Sequence, residues 1–425
     1  MKRCGFTLVE FLVCLGMFVL LVALVVPAVL RSRERARAAQ CQANLRWFGV
    51  GLIGRANTEP WNRFCTGACD WKRDGCPDTV GWVADLVNHG CGRPIDMLCP
   101  SNPMRGLETL EELFNTTPTQ GDGVDLAFLK SGICGKPLAA PSGEVFGVEG
   151  STARRQAIEK HILDKGYSTN YTAHWFLVRS APRYRGADFQ GKTGKDLACN
   201  LRAANTASWK VRKNVAADTC EGPLTSGRCR NSDVLSSMIP LLGDGGRASS
   251  ENATASTRLD YRNSEYIPAG DPLVASFSDG PATWDYAAHQ IVPVKGNAIL
   301  CRCAINPAAG TQQFSGQANE ELKGFRYGSV GLQDTRQFMC HHAGVCNFLM
   351  ADGSVRGFAD GNGDKLLNPG FPADGEDFGR VDGTASGSST CPFAGPVEDL
   401  PRNAVFSGFF IINPVSPHHH CSFQY

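Results

Sequence analysis

The uncharged run from Phe11 to Leu30 constrains this chain more than any other stretch. At ~1.5 Å of rise per residue, a helix over that run reaches ~30 Å, the hydrocarbon thickness of a bilayer. Lys2 and Arg3 precede it, and Arg31, Arg33, Arg35 and Arg37 follow it. A cleaved secretory signal carries a shorter apolar region that ends at a small-x-small site, and Pro27-Ala28-Val29-Leu30-Arg31 offers no good one. A lipoprotein cut before Cys14 is disfavoured because Val13, not a small residue, precedes that cysteine. A plain anchor leaves Glu10 unexplained, since a carboxylate within a membrane segment costs about 3 kcal/mol and marks a function or a partner.

Gly5-Phe6-Thr7-Leu8-Val9-Glu10 followed by an apolar run resembles the class III leader of type IV prepilins and pseudopilins. The resemblance implies that a prepilin peptidase cuts between Gly5 and Phe6 and methylates the new amino terminus. It also implies that Glu10 is the assembly carboxylate, neutralising the terminal amine of a neighbouring subunit. A buried carboxylate is tolerable when it gains an ammonium partner. The implied division is a leader at 1–5, a transmembrane half-helix at 6–30, a stalk half-helix at 31–57 and an extracytoplasmic head at 58–425. The implied partners are the peptidase, membrane lipid and like subunits met through the N-terminal helix. The implied location is the bacterial inner membrane before assembly, single-pass with the head outside the cytoplasm, then the cell surface or a filament. The four arginines after the span argue the other way, because positive charge stays cytoplasmic. The cysteines agree with the resemblance.

There are 18 cysteines. Setting aside Cys4 and Cys14 in the leader and span leaves 16, an even number, and in an oxidising compartment that reads as a framework of up to eight disulfides. Structural zinc is the rival reading. The closest pairs, Cys65-x3-Cys69 and Cys301-x-Cys303, do not belong to a paired C-x2-C pattern, so disulfides are preferred. Cys41, on the stalk helix, is either unpaired or bridged to the head. With a net charge of +1, no bulk field favours nucleic acid. Abundant glycine and proline suit a loop-rich α+β head, mainly antiparallel, behind a long N-terminal helix.

Pro27 lies inside the expected helix and permits a kink. Leu45, Phe48 and Leu52 give the stalk an apolar face. Trp82–Val87 is a short apolar element, and Gly106–Phe114 and Thr152–Lys165 read as helices. Asn170–Val178, Ile291–Val294, Ala298–Cys303 and Ala404–Ile412 read as strands. Asp196–Ala204 is a further helical candidate. Asp352-Gly353 between the apolar runs Asn347–Met350 and Val355–Phe358 signals a hairpin.

His342, nine residues and then Asp352-Gly353 resembles the signature of prepilin-like proteins with the processing-associated H-X9-DG domain. Leu98-Cys99-Pro100-Ser101 is similar to that family's CPS turn, and Cys41-Gln42-Ala43-Asn44-Leu45 to its C-x-N-N-L stalk segment, departing at Ala43. Physically, Asp352-Gly353 needs only to turn, and His342 is expected to cap or bond that hairpin. Asp360, Asn362 and Asp364 have the D-x-N-x-D spacing of a calcium loop, but Phe371 stands where an EF-hand needs its bidentate glutamate, which leaves a solvated acidic turn as the alternative. No other cofactor is expected. Gly186–Thr193 fits the P-loop spacing without the strand and helix that such a loop needs. No nucleophile stands beside a base, so the chain does not read as an enzyme.

The expectation is a prepilin-like, membrane-anchored subunit of a pilus, pseudopilus or secretion apparatus. The alternative is a surface-anchored binding module for a glycan or small solute. Trp61, Trp71, Trp82, Trp175 and Trp284 discriminate: lining a cleft they favour binding, buried in the core they favour a scaffold.

Overall fold

The structure is a computed structural model that describes residues 7–117, 126–136, 146–180, 222–232, 234–248, 253–285, 290–293, 305–306, 311–312, 331–370, 398–401 and 403–407. Helix α1 runs unbroken from Leu8 to Thr58, with Pro27 inside it, ~77 Å at ~1.5 Å per residue. Its two halves have opposite surroundings. Residues 7–30 are exposed throughout. From Cys41 onward one face is buried, through Asn44, Leu45, Phe48, Leu52, Arg55 and Ala56. That spacing is the 3.6-residue period of a helix lying on a core. The apolar half is therefore bare and the mixed half is packed, the reverse of a helix in a water-soluble fold. Its length and composition suffice to cross a membrane.

The head is α+β, and its strands pair antiparallel. The central sheet has the order β1-β2-β10-β11, with β1 Tyr171–Ala173, β2 Pro240–Asp244, β10 Val345–Met350 and β11 Val355–Ala359. Smaller antiparallel units join β3 (Leu259–Tyr261) to β4 (Ser264–Ile267), β5 (Gly280–Asp285) to β6 (Gln290–Pro293) and β9 (Gly331–Asp334), and β7 (Ile305–Asn306) to β8 (Thr311–Gln312). The stalk half of α1 lies against β10, β11 and helix α2 (Trp82–Asn88). Strand alternation sends Leu349 into the core shared with α1, while Cys346, Phe348 and Met350 enter a second cluster with Phe338, Phe358 and Leu367. Phe48 is the stalk's central anchor, edge-on to Trp82 at 6.1 Å and to Tyr171 at 5.5 Å. Arg55 adds a buried ion pair to Asp85 of α2 at 3.1 Å. A third cluster packs helix α3 (Thr109–Asn115), the short helix α4 (Leu126–Leu129) and helix α5 (Thr152–Ile158) against β3 and β4.

Several expected elements change character. The run from Asn170 to Val178 divides: β1 stops at Ala173, and helix α6 (Trp175–Arg179) starts after His174, whose Nδ1 accepts the Phe176 N–H at 3.3 Å. Trp175 to Val178 are buried on every side, so no alternation separates strand from helix there. The expected helix from Thr152 ends as α5 at Ile158 and continues as a π turn over Glu159–Leu163. The described part of the expected last strand, 404–407, holds a turn and a bend but no strand. It still joins the fold, with Phe406 N–H donating to Met238 O and Gln333 N–H to Ser407 O, both at 2.7 Å. Asp196–Ala204, Ala298–Cys303 and Gly186–Thr193 lie outside the described residues. One disulfide forms among the described cysteines, Cys76–Cys134. Cys41, Cys65, Cys69, Cys91, Cys99, Cys229, Cys340 and Cys346 of the head and stalk are free thiols.

Candidate functional site

Gly5 and Phe6 lie outside the described residues. Glu10 stands at the third position of α1, where it closes a capping box. Its Oε2 accepts from Thr7 N–H at 2.9 Å and Thr7 Oγ1 at 2.8 Å, and its own N–H donates to Thr7 Oγ1 at 3.3 Å. The Thr7-x-x-Glu10 spacing is a legible signal of that cap. In the single chain Glu10 therefore satisfies orphan donors at its own helix start.

The H-x9-DG signature spans one strand. His342 precedes β10 and Asp352-Gly353 follows it, so the two ends do not meet. His342 meets the hairpin at its open end instead, its N–H donating to Val345 O and its own carbonyl accepting from Val345 N–H, both at 3.1 Å. Asp352 serves the turn itself, its Oδ1 accepting from Ser354 N–H at 2.9 Å and Ser354 Oγ at 2.6 Å. Gly353 has φ +87°, and a Cβ there would lie 3.0 Å from Ile53 Cδ1 of α1. The turn thus needs glycine both for its backbone and for its approach to the stalk.

His342 faces the stalk and three other side chains. Its Nδ1 donates to Glu34 Oε1 at 3.1 Å, and Glu34 Oε1 also accepts from Ser101 Oγ at 2.8 Å. A carboxylate can only accept, so Nδ1 carries the proton. Nε2 then points at Cys99 Sγ, 3.2 Å away, and Asp244 Oδ2, 3.7 Å away. Cys41 Sγ donates to Asp244 Oδ1 at 2.8 Å. Asp244 Oδ2 accepts from Asn347 N–H at 2.8 Å and Asn347 Nδ2 at 3.1 Å. One ligand atom from each of Cys41, Cys99, Asp244 and His342 lies within 4.8 Å of the others, and all four residues are buried. The set has the composition and closeness to hold a metal ion. It joins α1, the CPS turn, the end of β2 and the loop before β10.

The electrostatics of this cluster are strained by its burial. Asp244 is fully buried, and among the described residues its one ion-pair partner is His342. Burial pulls His342 down, but Asp244 and Cys99 outweigh it and raise its pKa to about 10. The Cys41 thiol is pushed far up, first by its hydrogen bond to Cys99, then by burial and the Asp244 charge. Cys99 is lowered, by that same bond first and against its burial, with His342 assisting. The two thiols are thus pushed in opposite directions, Cys41 up and Cys99 down.

The Asp360 loop turns its oxygens inward on itself. Asp360 Oδ1 accepts from Asn362 and Gly363 N–H at 3.0 and 2.6 Å, and Oδ2 accepts from Lys365 N–H at 2.7 Å. Asn362 Oδ1 and Asp364 Oδ1 accept from the backbone two residues on, at 3.1 and 2.8 Å. Among the described residues the gathered set of metal-ligating atoms is the Cys41 cluster, not this loop. Trp71, Trp82 and Trp175 are core residues, while Trp61 is exposed. The Trp284 side chain lies outside the described residues.

Sequence reasoning placed Cys41, Cys99 and His342 in three separate motif fragments and did not join them. Cys41 is 203 residues from Asp244, and Cys99 is 243 from His342, so no local ligand spacing existed to find. Asp244, in a stretch from Gly243 to Arg262 that reads as polar loop, gave no signal. Compared with known proteins, the chain matches no family model, no curated protein and no solved structure.

Proposed function

We propose that the chain is a prepilin-like, membrane-anchored subunit of a pilus, pseudopilus or secretion apparatus. In this reading it is processed between Gly5 and Phe6, and its head lies outside the cytoplasm. The observation that carries it is the division of α1. Twenty-odd apolar residues stand bare (about 30 Å of helix), and the same helix then runs straight into the head as its central packing element. A detachable signal or a tethering anchor does not need to be continuous with the core. The leader and H-x9-DG motifs support the same reading. Glu10 then exchanges its cap on Thr7 for the methylated amine of a neighbour. Within a bilayer that exchange replaces a neutral partner for the carboxylate with a charged one.

The binding-module alternative needs a cleft lined by aromatic side chains, and Trp71, Trp82 and Trp175 are instead spent on the core. That favours a scaffold.

Intact mass and amino-terminal sequence of the protein recovered from its host's membranes test the proposal. The expected mature start is N-methyl-Phe6, lost on Gly5→Ala, with assembly lost on Glu10→Ala while the monomer stays membrane-bound. A mature start at Met1 or beyond Leu30 rejects prepilin-type processing.

A further inference from the structure

We propose that Cys41, Cys99, Asp244 and His342 form a structural zinc site that fastens the stalk half of α1 to the head. The proposal does not depend on filament assembly or on leader processing.

Ligand geometry is the first support. Tetrahedral zinc with bonds of ~2.3 Å to sulfur and ~2.0–2.2 Å to nitrogen and oxygen sets ligand atoms ~3.3–3.8 Å apart. The contacts present are 2.8 Å for Cys41 Sγ to Asp244 Oδ1, 3.2 Å for Cys99 Sγ to His342 Nε2 and 3.7 Å for His342 Nε2 to Asp244 Oδ2. The four ligand atoms lie within 4.8 Å of one another, so a cation at the centre asks the longest separation to close by about 1 Å and the Cys41–Asp244 contact to open. Two thiolates, one imidazole and one carboxylate closing a buried tetrahedron suit zinc, and four protein ligands leave no open position, so the role is structural rather than catalytic.

The second support lies in the groups behind the ligands. Metal-bound histidines donate their far nitrogen to a carboxylate or carbonyl. Here Nδ1 donates to Glu34 at 3.1 Å, and Ser101 Oγ steadies Glu34 from the other side at 2.8 Å. That bond aims the remaining nitrogen, Nε2, into the cluster. Asn347 holds Asp244 through its backbone and side chain, and its Nδ2 also lies 3.6 Å from Cys41 Sγ. Asn170 clamps Cys99, accepting its N–H at 2.8 Å and donating to its carbonyl at 3.1 Å. Each ligand is thus orientated by another polar side chain or a backbone group, on a scale that a simple core pair does not require.

The third support is charge. A fully buried carboxylate beside two thiols is costly without a compensating cation. Zinc would replace the His342 imidazolium as the compensating charge: the thiol protons and the Nε2 proton of His342 leave to solvent, and Asp244 binds as it stands. The site would also explain why Cys41 and Cys99 are so close yet separate. Thiolates on zinc are held apart and protected from oxidation, which matters for a head outside the cytoplasm.

Elemental analysis of the full chain, purified in detergent without chelator, tests this. The expected content is about one zinc per chain, as one tetrahedral site requires. Cys99→Ala and Asp244→Asn should lose it, and Cys65→Ala, a buried thiol outside the cluster, should keep it. Glu34→Gln removes only the positioning carboxylate on a partly exposed helix face and should weaken zinc affinity ~10–100-fold without unfolding the head. Chelator-treated wild-type chain titrated with cobalt(II) should develop the absorption bands of a tetrahedral thiolate complex, saturating at one equivalent. A metal-free wild-type chain that yields no such bands overturns the proposal. So does a Cys41–Cys99 disulfide in a non-reducing peptide map, or unchanged zinc affinity in Glu34→Gln.

Discussion

His174 shows how one side chain can do work that its residue type does not advertise. It is fully enclosed, stacked between Phe176 at 4.7 Å and Phe338 at 5.6 Å, and it caps α6 by accepting a backbone N–H at Nδ1. Burial lowers its pKa from 6.5 to about 3. A protonated ring would lose the acceptor and leave a charge among phenylalanines. The folded pKa lies below the unfolded one, so His174's contribution is complete above pH ~6.5 and lost as pH falls toward about 3. The slope approaches ~1.4 kcal/mol per pH unit, so His174 by itself should make the head about 2 kcal/mol less stable at pH 5 than at pH 7. Denaturant midpoints at the two pH values measure it. His174→Asn keeps a cap acceptor and cannot titrate, so this variant should be weaker at pH 7 but flatter across the interval. A His174→Asn midpoint that falls from pH 7 to 5 as steeply as the wild type's would refute the assignment.

At the scale of elements, the stalk half of α1 carries three glycines whose surroundings differ sharply. A Cβ on Gly51 would stand 2.5 Å from Leu86 Cδ2 and 2.9 Å from Cys91 Cβ. One on Gly49 would stand 2.7 Å from Leu349 Cδ1, while Gly54 has nothing within 4 Å. The first two let the helix axis approach α2 and β10; the third is simply a weak helix former. Gly51→Ala should therefore cost ~1–3 kcal/mol through overpacking, against a propensity gain of about 1 kcal/mol. Gly54→Ala keeps the gain alone and should stabilise by up to ~1 kcal/mol. Thermal unfolding of the two variants side by side decides it, and equal responses would mean that α1 does not pack as described. The face through Leu45, Phe48 and Leu52 was legible in the sequence because a helix of that length repeats its burial period several times. The short elements were not, since Trp175–Val178 is enclosed on all sides and five residues do not express a period.

For the whole molecule, the long helix and the antiparallel head were legible because an apolar span and an Asp-Gly hairpin each announce themselves locally. The cluster at Cys41 was not, because four elements distant in the chain must first be folded together before its residues meet. That difference identifies where the molecule should tolerate cutting. Residues 7–30 touch nothing in the head, whereas Glu34 already bonds His342 and Ser101, and Cys41 and Leu45 are fully buried. A chain beginning at Arg31 should lose its need for detergent and keep its head, with near-ultraviolet circular dichroism and thermal midpoint matching the full chain. A chain beginning at Arg46 loses Cys41, Asn44 and Leu45, of which the leucine alone is worth ~2–5 kcal/mol, and should aggregate. Size-exclusion chromatography without detergent separates the two outcomes. If both fragments fold alike, the stalk is an appendage rather than part of the core; if both fail, the span itself contributes to the head. The intermediate case is the one the burial of α1 requires, because the boundary between bare apolar helix and core helix falls within a single element, between Leu30 and Cys41.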